Sequence, residues 1–130
     1  MRAYGFTLLL NADPMTIERY REHHRQAWPV VPARLREAGI ERMRIFLLGR
    51  RLFMYCEAND DFDPRRDFAR LGDEPAYRRW DELMRSMQES VPEAAPGEWW
   101  ARMEQVYDLD WPTAEGAEEQ EGGHGPAAAG

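Results

Sequence analysis

Apolar and polar positions repeat with two different periods along this chain, and the two periods predict strands and amphipathic helices. Residues 2–10 are rich in Tyr, Phe, Thr and Leu and predict a first strand. Residues 42–48 and 51–57 flank Gly49-Arg50, a pattern typical of a β-hairpin. Residues 99–107 are interpreted as a last strand, after a loop over 91–97 that is rich in proline.

The two hairpin strands are apolar at nearly every position instead of alternating with polar residues. A strand with one wet face alternates, so this pattern indicates a sheet that is covered on both faces. The helices of so short a chain cover only one face. We therefore predict that a second copy of the chain covers the other face, which makes the protein a homodimer.

Helical periods fill the two segments between the strands. Asp13 and Pro14 form a helix start, with an oxygen acceptor at the N-cap and a proline in the first turn. Pro29 and Pro32 should break or kink this helix, which resumes before Gly39. The second segment starts at Asp63-Pro64, is interrupted by Gly72-Asp73 and restarts at Glu74-Pro75. Its apolar stripe consists of Tyr77, Trp80, Leu83, Met84 and Met87.

The order of elements is β-α-β-β-α-β, a ferredoxin-like α+β fold with a four-stranded antiparallel sheet and helices on one face. We assign residues 1–112 to this domain. Residues 113–130 form an acidic tail rich in Gly and Ala that we expect to be disordered, because it cannot bury enough apolar surface to offset its ordering entropy. His124 lies in this tail and is expected to be inert.

Composition excludes several classes of function. The formal net charge of −7 disfavours nucleic acid and anionic membranes as partners. The chain contains no lysine, which excludes Schiff-base catalysis and a P-loop. Cys56 is the single cysteine, and only His23 and His24 lie close together, so neither a disulfide nor a Cys/His metal site is expected. The apolar run near the N-terminus is too short for a signal peptide or membrane span, and we expect a cytoplasmic protein.

The candidate chemistry lies in the first helix. Tyr20, His24 and Trp28 are spaced i, i+4, i+8 and share one helix face, whereas His23 points about 100° away. A phenol, an imidazole and an indole can together hydrogen-bond, move a proton and stack on a ligand. Aromatic residues at helical spacing are also common in cores, so packing remains an alternative role for these side chains.

Four segments together resemble the L-rhamnose mutarotase family and its L-fucose-directed relatives, over residues 2 to 110. They are Tyr20-x-x-x-His24-x-x-x-Trp28-Pro29, the segment from Gly39 to Ile45-Phe-Leu, Arg79-Trp80, and Met103-Glu-Gln-Val-Tyr107. The resemblance implies a dimeric α/β barrel and an isomerase that interconverts the α and β anomers of a deoxy sugar, with no cofactor and no metal.

The resemblance also implies roles for individual residues. His24 would act as general acid and, on ring closure, as base, because an imidazole titrates near neutrality. Tyr20 would hydrogen-bond the sugar or orient the imidazole, and Trp80 would pack on the pyranose. Two positions depart from the family pattern: Met43 stands where members often have a tyrosine, and Asp81 replaces a second tryptophan. Both are expected to contact the sugar and to alter its selection.

A different class of function stays open from the residues alone. The same architecture serves non-catalytic binding of small ligands and the handling of haem or quinones. A haem protein of this kind would use His23 or His24 as its axial ligand. Protein that absorbs near 400 nm would favour this alternative over a mutarotase.

Overall fold

The structure is a computed structural model, and it describes residues 1–114. It contains five strands and four helices in one α+β arrangement. In chain order these are β1 Arg2–Leu10, α1 Pro14–Arg25, α2 Val30–Glu37, β2 Ile40–Leu48, β3 Arg51–Ala58, α3 Pro64–Leu71, α4 Pro75–Ser86, β4 Gln88–Glu89 and β5 Ala101–Met103. The predicted domain boundary at 112 is therefore inside the described part, and all but two residues of the predicted tail lie outside it, including His124.

The sheet has the strand order β2-β3-β1-β4, and β5 pairs with β1 next to β4. All these pairings are antiparallel, and β1 lies opposite β3 from Arg2 and Ala58 to Leu9 and Arg51. This order places the third strand between the first two, which is the split βαβ arrangement. The predicted ferredoxin-like fold is confirmed, and each helical segment is divided into two helices close to its predicted interruption.

Three helices begin with the same local device, a carboxylate at the N-cap followed by proline. The caps are Asp13, Asp63 and Glu74, and each side chain accepts a hydrogen bond from a backbone amide of the first turn. These acceptors satisfy amides that have no partner within the helix, and proline lacks an amide hydrogen to satisfy. The sequence signals for these three starts are therefore confirmed.

The predicted break in the first helical segment is also present. α1 ends at Arg25, and α2 begins at Val30, directly after Pro29. The i, i+8 spacing had placed Trp28 on the first helix. In the structure, Trp28 lies in the connection between α1 and α2. At the far end of α2, Gly39 has a φ of 104°, and a Cβ there would lie 2.4 Å from the Asn59 side-chain nitrogen. Glycine is thus required by both conformation and space.

The predicted last strand over 99–107 is wrong in its extent. Only Ala101–Met103 pairs with β1, and a short strand, β4, precedes it along the same edge. Residues from 104 onward leave the sheet, and Val106, Tyr107 and Leu109 are largely exposed. The chain leaves the edge of β1 after Met103, although β1 continues to Arg2.

The two faces of the sheet differ sharply in burial. Leu8, Leu10 and Leu52 point to the helices and are 0%, 0% and 1% exposed. The opposite face carries Phe46 and Leu48, which are 55% and 85% exposed in the single chain. The helices thus cover one face, as predicted, and the apolar residues of the other face remain open to solvent in one chain.

Candidate active site

A cavity of about 480 Å³ lies between α1, the helices α3 and α4, and the chain that leads into β5. The five residues predicted to form the site all line it: Tyr20, His24, Met43, Trp80 and Asp81. A neighbouring cavity of about 560 Å³, between α1, α2 and β2, shares Tyr20, His24 and Met43. Volumes of this size are typical of small-ligand sites. The fold therefore brings together side chains from α1, β2 and α4 that are far apart in sequence.

The hydrogen-bonding state of His24 follows from its backbone partner. Its Nδ1 lies 2.9 Å from the carbonyl oxygen of Tyr20, one turn earlier in α1. A carbonyl oxygen can only accept, so Nδ1 carries the hydrogen and donates it. Nε2 of the neutral ring therefore keeps a free lone pair. A histidine fixed in this tautomer can accept a proton at Nε2 without changing its orientation.

The electrostatic surroundings of His24 favour the neutral ring. Solvent reaches the ring through the cavity, but the surrounding protein atoms partly desolvate it, and this burial lowers its pKa below the ordinary 6.5. The bond to the Tyr20 carbonyl opposes this effect, and the neighbouring His23 adds to it. His24 is therefore mainly a base at neutral pH.

Aromatic rings hold His24 in place on several sides. The ring of Tyr20 lies 4.3 Å from the imidazole centroid, and Trp80 meets the imidazole edge-on at 5.6 Å. Trp80 is only 5% exposed and also contacts Trp28 at 5.3 Å and His23 at 6.2 Å. Packing is thus a large part of the role of Trp80, and only a strip of its ring reaches the cavity. His23 is half-buried, and its imidazole meets this indole edge-on.

Tyr20 belongs to a buried polar network. Nε2 of Gln88 donates to the Tyr20 hydroxyl at 3.1 Å, and Nε1 of Trp99 donates to Oε1 of Gln88 at 2.8 Å. Burial raises the pKa of Tyr20 to about 12, although the bond from Gln88 acts in the opposite direction. The phenol consequently stays protonated over the physiological range and cannot serve as a ready base.

Charged and adaptable side chains lie at the rim. Asp81 accepts from Nε of Arg85 at 2.9 Å, and the Arg85 guanidinium stacks 4.9 Å above the ring centre of Trp99. This pairing fixes one carboxylate oxygen of Asp81 near the opening. Met43 projects from β2 into both cavities, where its thioether can pack against a ligand but cannot donate a hydrogen bond.

Gln88, Trp99 and Trp100 are among the lining residues that sequence reasoning missed. The predicted last strand over 99–107 would place Trp99 and Trp100 on opposite faces of the sheet, but both line the cavity. The reason is that the chain bends here, after Gly97 with a φ of 81°, and β5 begins only at Ala101. Gln88 had no local signal, because its importance arises from two partners far away in the chain.

Among the described residues there is neither a metal-binding cluster nor a membrane-spanning helix. Within residues 1–114, no group of three or more His, Cys, Asp and Glu side chains could hold a metal ion. No helix in this range combines the length and the apolar character that a membrane span requires.

The fold and the site define a small α+β protein with a ligand cavity between its sheet and helices and a positioned histidine inside the cavity. A family model described as L-rhamnose mutarotase matches residues 3–109. The chain therefore belongs to the L-rhamnose mutarotase family. This membership confirms the predicted class of enzyme, an isomerase of the mutarotase type, and the predicted resemblance.

Individual relatives are similar to this chain over most of its length. An L-fucose mutarotase of Xanthomonas campestris is 35% identical over 111 residues, covering 84% of this chain and 89% of the relative. An L-rhamnose mutarotase of Burkholderia ambifaria is 31% identical over 98 residues, covering 75% and 90%. A UPF0734 protein of Dictyostelium discoideum is 45% identical over 114 residues, covering 85% and 91%.

Solved structures support the fold. The crystal structure of an L-rhamnose mutarotase from Formosa agariphila superimposes with a TM-score of 0.64 at 20% identity, covering 85% of this chain and all of that one. Tetracenomycin F2 cyclase from Streptomyces glaucescens superimposes with a TM-score of 0.52 at 17% identity, covering 86% and 100%. Such low identities make these two comparisons informative about architecture alone.

Proposed function

We propose that this chain interconverts the α and β anomers of a free deoxy sugar of the L-rhamnose or L-fucose type, with His24 as the proton carrier. The observation that carries this proposal is the fixed tautomer of His24, which leaves Nε2 with a free lone pair on a side chain that lines a cavity of suitable size. Relatives of both names align over most of the chain, at 35% and 31% identity, so both sugars are candidate substrates.

The reaction needs only the transfer of one proton between two oxygens. In the ring-closed sugar, the anomeric hydroxyl O1 carries a hydrogen and the ring oxygen O5 does not. His24 removes the O1 proton at Nε2 while the C1–O5 bond breaks, and the imidazolium returns the proton to O5. Both oxygens are attached to C1 in the ring, so one nitrogen can serve both. After rotation about C1–C2, the reverse sequence closes the ring as the other anomer.

The lowered pKa of His24 supports an order in which it acts first as base and then as acid in ring opening. The sequence-based expectation had the opposite order, which suits a ring that starts protonated. Microscopic reversibility requires both roles in either case. At pH 7 the neutral ring of His24 is the more populated form. The reaction can therefore start from this form, and no prior protonation step limits the rate.

The remaining lining residues supply binding without fixing the anomeric centre. We assign the exposed strip of Trp80 to contact with the C–H face of the pyranose, together with the neighbouring indoles of Trp99 and Trp100. Asp81 lies at the rim and would accept hydrogen bonds from sugar hydroxyls through the oxygen that Arg85 leaves free. Met43 would contact the sugar by packing alone, which favours a methyl-bearing deoxy sugar over a fully hydroxylated one.

The experiment is the exchange rate between anomers, measured by NMR saturation transfer with L-rhamnose and with L-fucose. His24→Ala should lower kcat about 100-fold or more, since positioned proton transfer typically contributes about 10²–10⁴-fold. His23→Ala is the matched control, because it removes the adjacent imidazole but leaves Nε2 of His24 in place. Acceleration by wild type that persists unchanged in His24→Ala would contradict the assigned role, and no acceleration of either sugar would contradict the function.

We further propose that the chain works as a homodimer whose partner covers the open face of the sheet. Phe46 stacks on Phe53 with centroids 6.1 Å apart on this face, and Leu48 lies beside them at 85% exposure. Contiguous exposed apolar side chains are typical of an interface. Phe46→Glu should convert a dimer to a monomer in sedimentation velocity, whereas Met15→Glu, a matched charge on exposed α1, should not. A monomeric wild-type protein at micromolar concentration would contradict this proposal.

A further inference from the structure

We propose that Gln88 is a positioning residue that makes the Tyr20 hydroxyl a hydrogen-bond donor to the bound sugar. This inference rests on the proposed function and adds to it a residue that no motif of the family pattern identified. It follows from the direction of the hydrogen bonds in the buried network of Tyr20, Gln88 and Trp99.

The direction of each bond is fixed at one end by Trp99. An indole Nε1–H can only donate, so its partner 2.8 Å away must be the amide oxygen of Gln88. The Gln88 nitrogen is then the atom 3.1 Å from the Tyr20 hydroxyl, and this nitrogen can only donate. A rotated Gln88 amide would put two donors against each other at Trp99. The Tyr20 oxygen is therefore an acceptor toward Gln88, and its own hydrogen must point elsewhere.

The remaining direction for the hydrogen of the Tyr20 hydroxyl is toward the cavity. Among residues 1–114, the hydroxyl of Tyr20 has no acceptor for its hydrogen, while Tyr20 and Gln88 both line the cavity that contains His24. Tyr20 and Gln88 are 4% and 7% exposed, and a buried donor is costly without an acceptor. An oxygen of the sugar would supply that acceptor beside His24. The network thus orients the phenol before the substrate arrives.

The fold makes this orientation rigid. Gln88 lies in β4, opposite Leu10 of β1, so its backbone is fixed by the sheet. Trp99 is fixed in turn by the guanidinium of Arg85, which stacks on its ring. The direction of one hydroxyl is therefore controlled by two residues that need not touch the sugar's reacting atoms themselves.

The test reverses the direction of the bond without changing the size of the side chain. In Gln88→Glu at pH 8, an ionised carboxylate accepts from both Trp99 and Tyr20, which withdraws the Tyr20 hydrogen from the sugar. A lost hydrogen bond of ordinary strength should lower kcat/KM about 3- to 10-fold. Tyr20→Phe should have a loss of similar size, and adding Gln88→Glu to Tyr20→Phe should change kcat/KM by less than about twofold.

A second variant provides an independent test if Gln88→Glu fails to fold. Trp99→Phe keeps an aromatic ring but removes the N–H that orients the Gln88 amide. It should lower kcat/KM by a larger factor in the wild-type background than in Tyr20→Phe, where only the contact of the ring with the sugar is altered. Gln105→Glu, the same substitution on the exposed chain beyond β5, is the matched control and should leave kcat/KM unchanged.

The outcomes separate this inference from the proposed function. If wild type accelerates exchange, and Gln88→Glu and Trp99→Phe lose equal factors with and without the Tyr20 hydroxyl, then Gln88 has only a structural role and the inference is overturned. If wild type accelerates no sugar, the proposed function itself fails. A larger loss in the background that retains the Tyr20 hydroxyl than in Tyr20→Phe supports the inference.

Discussion

The lowered pKa of His24 predicts how kcat/KM should change with pH. A histidine with the ordinary pKa of 6.5 is about three-quarters neutral at pH 7 and about one-tenth neutral at pH 5.5. Burial lowers the pKa of His24 below that value. If the neutral ring is the reactive form, kcat/KM should stay near its plateau at pH 7 and retain more than about one-tenth of it at pH 5.5.

The assay is saturation transfer between anomers from pH 5 to pH 8, after subtraction of the uncatalysed exchange at each pH. The profile of kcat/KM reports groups of the free enzyme, which is the state that the structure describes. The half-point should lie below pH 6.5. Replacing His23 by Gln should move it upward, because His23 contributes to the lowered pKa of its neighbour. A half-point at or above 6.5, or a flat profile, would refute the base role assigned to His24.

The lowered pKa of His24 also makes the free energy of unfolding depend on pH. A histidine whose folded pKa is lowered binds fewer protons than in the unfolded chain between the folded pKa and 6.5. Its neutral state thus supports folding fully above pH 6.5, and this contribution is lost as the pH falls through that window. Denaturation by urea at several pH values should show this loss in wild type, and His24→Gln should reduce it.

Three further predictions concern the scaffold. Leu8→Ala should lower the free energy of unfolding by about 2–5 kcal/mol in urea denaturation, because Leu8 is fully buried between sheet and helices; a change below about 1 kcal/mol would contradict the observed packing. Asp63→Ala should cost about 0.5–2 kcal/mol by removing the N-cap of α3, measured in the same way, and Asp60→Ala on the exposed preceding turn should cost less. Cys56 should not react with a thiol reagent in the native protein, since it is fully buried and burial raises its pKa to about 11; rapid reaction without denaturant would contradict this.

The local elements of this protein could be predicted from sequence because their causes are local. The carboxylate-proline pairs at Asp13, Asp63 and Glu74 satisfy the amides of their own first turns, so the helix starts needed no tertiary information. The hairpin turn at Gly49 and the helix end at Gly39 depend on backbone angles that favour glycine. The candidate histidine was visible for a similar reason, since Tyr20 and His24 are neighbours on one helix.

The cavity and its network were decided by tertiary structure. Gln88 contacts residues 68 positions before it and 11 positions after it, and no short-range pattern encodes such pairs. Trp99 and Trp100 bend away from the sheet because β4 already pairs with Leu9 and Leu10 of β1, and the chain pairs with β1 only from Ala101 onward. Sequence determined which residues have the chemistry to move a proton, because that follows from residue type and helical spacing. Only the packing of sheet against helices created the cavity beside His24 and determined which way the Tyr20 hydroxyl points, because these depend on partners that the chain brings together from a distance.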